Sequence, residues 1–87
     1  MTRYSYYLDG KWVDSRARDI NRMRAILIKR FGPELRTNKI KEIWIAKDDV
    51  MAGCLSYSRT KQRFEYGDDH VAYGKVNPES GRLTYDR

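Results

Sequence analysis

The sequence predicts an α+β two-layer domain: an N-terminal hairpin, one amphipathic helix, then an antiparallel meander of four to five strands packed on that helix. Three observations carry this reading. Asp9-Gly10 separates two aromatic-rich runs, which is the chemistry of a tight hairpin. One stretch, 16–31, places its apolar residues at helical spacing. Beyond residue 40 the chain alternates short β-forming runs with turn residues. With 87 residues, the whole of 1–87 reads as one small domain.

The hairpin comes first. Tyr4–Leu8 and Lys11–Val13 flank Asp9-Gly10, and a two-residue type I′ loop needs positive φ at both centres. That register sets Leu8 opposite Lys11 and Tyr7 opposite Trp12. Asp14 or Ser15 then caps a helix over Arg16–Phe31. Ile20, Met23, Leu27 and Phe31 form its apolar stripe, with Ala17 and Ile28 on one flank and Ile26 on the other. Arg24 falls inside the apolar arc and is expected to snorkel out or to meet a carboxylate. Gly32-Pro33 should end the helix, Gly supplying a left-handed C′ residue and Pro blocking continuation.

The remainder reads as strands. Ile40–Ala46 puts Ile43 and Ile45 on one face and Trp44 on the other. Lys47-Asp48-Asp49 turns into Val50–Ser58, whose alternation groups Met51, Gly53, Leu55 and Tyr57. Arg59–Gln62 turns into Arg63–Tyr66, Gly67-Asp68-Asp69 into His70–Val76, and residues 77–81 into Arg82–Tyr85. Val50–Tyr57 or Arg82–Tyr85 is expected at a sheet edge, where a homodimer would form by edge pairing.

Eighteen Lys and Arg against 12 Asp and Glu give +6, which favours anionic partners: nucleic acid or an acidic protein surface. The excess is local. Residues 1–47 hold 12 basic and 5 acidic side chains, whereas 48–87 hold 6 and 7. A meander turns at alternating ends, so the Arg59–Gln62 turn should share an end with the start of the first meander strand. That gathers Lys29, Arg30, Arg36, Lys39, Lys41, Arg59, Lys61 and Arg63 into a basic pole, opposite an acidic pole of Asp48, Asp49, Asp68 and Asp69. Arg18 and Arg22, with Lys29, form a basic stripe on the solvent side of the helix.

Several classes of chemistry are unsupported. There is no phosphate-cradling GxxxxGK[ST] or GxGxxG loop, so no cofactor is expected. One cysteine and one histidine cannot build a structural zinc site. Turn aspartates beside His70 resemble a divalent-cation shell only loosely, since Asp in turns caps local backbone. The longest strictly apolar runs, 25–28 and 43–46, are too short for a membrane span. With a single Cys54 and no legible secretory leader, a cytoplasmic location is expected. No stretch carries a known family motif.

The residues thus point to a small basic, non-catalytic module that binds nucleic acid or a nucleoprotein complex through its basic pole. A second reading is a protein effector of the kind phages and plasmids encode, inhibiting or adapting a host machine by protein contact. A third is a small toxin-type RNase using clustered cations and His70.

Overall fold

The computed structural model describes residues 2–67 and 73–85. Asp9 and Gly10 both take positive φ, +53° and +81°, so β1 (Tyr4–Leu8) turns tightly into β2 (Lys11–Ser15). Leu8 faces Lys11 and Tyr7 faces Trp12, the expected register. The second arm runs two residues further than alternation implies, because Asp14 and Ser15 still pair with Ser5 and Tyr4.

That extension displaces the helix. Helix α1 spans Ile20–Arg36, not Arg16–Phe31. Its cap is Asp19, whose side chain accepts the Arg22 backbone N–H at 2.8 Å. At the other end Gly32-Pro33 lies inside the helix. Gly32 is buried, with room for a Cβ only 3.4 Å from the Phe64 ring, and Leu35 one turn on is buried in the core. Packing of that last turn outweighs the proline's missing donor. The left-handed residue that ends the helix is Asn38, φ +62°. Ile40 is still tied back to the Glu34 carbonyl, so the next strand begins only at residue 42.

Five strands follow: β3 (Glu42–Lys47), β4 (Val50–Ser58), β5 (Arg63–Gly67), β6 (Gly74–Val76) and β7 (Leu83–Thr84). Among the described residues all pairings are antiparallel, in the order β2-β1-β3-β4-β5-β6-β7. The expected meander is therefore present, and the hairpin adds to the same sheet through β1–β3. One helix lies against it, giving the two-layer α+β architecture. The edges are β2 and β7. Strand β4 is interior, paired on both sides, so it offers no edge for a second copy.

The helix-facing side of the sheet is set by register: Tyr6 pairs with Val13 and Ile45, Ile43 with Leu55, and Leu55 with Tyr66. These meet Met23, Leu27, Ile28 and Leu35 in the core. Met51 does not join them. A bulge opposite Ile45/Ala46 inserts Ala52 as the extra residue, so Met51 pairs with Ala46 on the opposite face. Arg24 does not snorkel out to solvent. It is buried, donates from Nε to the Gly81 carbonyl at 2.7 Å, and lies 4.8 Å from the Tyr66 ring centroid.

Candidate functional site

The basic residues named from the sequence separate into two groups. Lys39 and Lys41 immediately precede β3. Glu42 pairs with Ser56, Ser56 with Glu65, and Ser58 with Arg63. Residues 59–62 therefore leave the sheet at the end where 39–41 enter it. Arg36 reaches the same end, its guanidinium 5.1 Å from the Phe64 ring centroid and 6.0 Å from that of Tyr57. The topology thus brings together Arg36, Lys39, Lys41, Arg59, Lys61 and Arg63.

These six are not equivalent. Arg63 Nη2 lies 2.9 Å from Glu65 Oε2, and Lys61 Nζ lies 3.8 Å from the same oxygen. Part of their charge is already answered. Arg36 is held over two rings and its direction is fixed. Lys39, Lys41 and Arg59 are exposed.

Lys29 and Arg30 do not join this end. The helix continues to Arg36, which leaves Lys29 about 10 Å back along its axis. Lys29 lies beside Pro78 and Glu79, while Arg30 stacks 5.4 Å from the Phe31 ring centroid on the side toward Val13 and Ser15. Arg22 stands on the solvent side of the helix. Arg18 precedes the helix and lines a shallow hollow with Arg16, Asp19 and Arg22. This second group is spread along the helical layer.

At the opposite end, Asp48 and Asp49 form a tight turn with φ +50° and +67°. No pattern in the sequence marks Arg3, yet it organises this end. Its backbone exchanges two 2.8 Å hydrogen bonds with Asp48, and its guanidinium pairs with Asp49 and approaches Asp14 at 3.9 Å. These carboxylates hold the Arg3 pKa above its ordinary value, the Asp49 hydrogen bond being the largest cause. Asp68, Asp69 and His70 lie outside the described residues. Among the described residues no three His, Cys, Asp or Glu side chains gather as a metal site. Among them, too, no helix is long and apolar enough to cross a membrane.

The sheet face away from the helix carries a feature that sequence alternation exposes only in part. One cross-strand row runs Trp12, Tyr7, Trp44, Cys54, Gly67 across β2, β1, β3, β4 and β5. Trp12 and Trp44 are 47% and 40% exposed, although both would be natural core residues. Tyr7 and Trp12 pack with centroids 5.3 Å apart. Tyr73 continues the row: a Cβ on Gly67 would meet its ring at 2.7 Å, so the ring lies where Gly67 has no side chain. Its hydroxyl lies toward Cys54, whose thiol donates to Glu42 Oε2 at 2.8 Å. Burial first, then the Glu42 carboxylate, pushes the Cys54 thiol far above its ordinary range. Cys54 is thus a protonated hydrogen-bond donor, not a nucleophile. Compared with known proteins, the chain matches no family model, no curated protein and no solved structure.

Proposed function

We propose that this protein is a non-catalytic binding module for nucleic acid, using the basic end of the sheet to contact phosphates. One observation carries the reading: two separate segments, 39–41 and 59–62, deliver cations to one end of the sheet beside Arg36. Cations held that close sum their potentials within about one Debye length, roughly 8 Å at physiological salt. Phosphates offer the matching charge, and release of their counterions drives binding. The paired aspartate turn with Arg3 lies at the other end, so it does not cancel this field.

The test is a salt titration of binding to a labelled oligonucleotide, followed by fluorescence anisotropy. Affinity should fall steeply with salt. Lys39→Glu with Lys41→Glu, or Arg59→Glu, should lower affinity and flatten the slope by about 0.7–0.9 for each phosphate no longer neutralised. Circular dichroism should remain unchanged, since these side chains are exposed. Absence of binding at low salt would overturn the proposal.

A further inference from the structure

We infer that the uncovered sheet face is a stacking platform for single-stranded nucleic acid, with bases lying on Trp12, Trp44 and Tyr73. This rests on the phosphate-binding reading above and names the form of nucleic acid it takes.

The geometry starts from the row. Strands lie about 4.8 Å apart, so Trp12 and Trp44, two strands distant, stand about 10 Å from each other. Gly67, under the Tyr73 ring, is two strands beyond Trp44. The row thus presents three ring stations over about 20 Å, enough for a short single-stranded segment near the small end of known site sizes. Each station is about half exposed. Among the described residues, nothing covers this face, because α1 packs on the other. Every base has a π-face, so such a row accepts a strand without demanding a sequence. A duplex keeps its bases stacked on each other and has no face to offer.

Charge decides between this occupant and a protein. Among the carboxylates flanking the row, Glu65 is paired with Arg63 and Lys61, Asp14 and Asp49 share Arg3, and Glu42 accepts the Cys54 thiol while keeping its charge. The end of the face beside Glu42 borders the cations at 39–41 and 59–62, and Lys75 projects from the face itself, across from Glu65. An aromatic row bounded by a basic end is complementary to bases linked by phosphates.

Both tryptophans of the chain stand on this row, so fluorescence excited selectively at tryptophan, beyond the absorption of the seven tyrosines, reports on it. The experiment titrates the full chain with oligo(dT) of about 12 nucleotides and with a matched duplex, reading tryptophan quenching and anisotropy. Trp44→Ala and Trp44→Phe are compared, with circular dichroism as the fold control. The expected result is quenching by oligo(dT), a loss of at least about fivefold in single-strand affinity for Trp44→Ala, and recovery in Trp44→Phe. Duplex affinity should not change with either variant. Equal binding of both nucleic acids, unaffected by Trp44→Ala, would overturn the platform while leaving the phosphate reading intact. No binding of either would overturn both. Concentration-dependent self-association abolished by Trp44→Ala would assign the face to a second copy of the chain and also overturn the platform.

Discussion

Arg24 donates its Nε hydrogen bond to the carbonyl of Gly81, 57 residues away, at 2.7 Å. This bond fastens the β6–β7 turn onto the first turns of the helix. Gly81 suits the site twice over. Its φ is +73°, and a Cβ there would fall 1.7 Å from the Asn21 carbonyl oxygen. The same guanidinium reaches Asn21 Oδ1 at 2.6 Å and lies over Tyr66. A cation inside the apolar arc is therefore the bolt that closes the short last strands against the helix.

Arg24→Ala should destabilise the fold by about 2–3 kcal/mol, because the buried carbonyl loses its donor and the Tyr66 ring its cation. For a domain of this size that lowers Tm by roughly 10–20 °C, readable in a thermal melt. Arg24→Met, which keeps the aliphatic stem, should fall between Arg24→Ala and the parent. A melt unchanged by Arg24→Ala would show that the turn is held by other interactions.

Gly81→Ala should cost about 3 kcal/mol or more, since the carbonyl it would strike is helix backbone and the φ is left-handed. Gly67→Ala is the instructive contrast. Its Cβ meets the ring of Tyr73, a half-exposed side chain that can swing away. Stability should change by less than about 1 kcal/mol, while single-strand affinity drops through the displaced ring. Equal destabilisation by the two substitutions would refute this distinction.

Gln62 occupies the β4–β5 turn with φ +54° and is exposed. Gln62→Gly removes that backbone strain and should raise stability by up to about 1 kcal/mol, seen as a Tm increase of a few degrees. The substitution leaves the charge of the basic end unchanged, so nucleic-acid affinity should hold.

Cys54 supplies a pH dependence with a definite sign. Its thiol faces Glu42 and Tyr73, and its folded pKa is raised, chiefly by burial. Tyr73 is raised as well, again chiefly by burial of its hydroxyl, with Cys54, Glu42 and Glu65 adding to the shift. Raised acids favour the folded state fully below their unfolded pKa, and that stability is lost as pH climbs past it. Unfolding free energy should therefore decline above about pH 8.5. Denaturant titrations of Cys54→Ala across pH 7–10 should show a shallower decline. The thiol should also resist alkylation in the native protein at neutral pH. Rapid labelling at neutral pH would contradict its protonated, hydrogen-bonded state.

Local chemistry announces much of this fold. Asp9-Gly10 dictates the hairpin and its register because a type I′ loop takes positive φ at both centres, which Asp and Gly tolerate. Alternation sets Ile43 and Ile45 on one face and Trp44 on the other, since successive strand side chains point to opposite faces; packing against the helix decides that the isoleucines are buried. Helix ends are less legible. Gly32-Pro33 is a strong stop signal, and it yields to the burial of Leu35 and the close approach of Gly32 to Phe64, neither of which exists until the layers meet. The Asn38 and Asp19 signals are present but compete with stronger ones nearby. Met51 escapes alternation because a one-residue bulge inverts the pattern without a trace in composition.

By itself the sequence determined the element types, the hairpin register and the position of a basic excess, because those follow from backbone sterics, side-chain period and turn direction. Tertiary structure decided which cations meet, which tryptophans stay in solvent and what Arg24 touches. Each of those depends on strands distant in the chain lying side by side, and no local pattern encodes that adjacency.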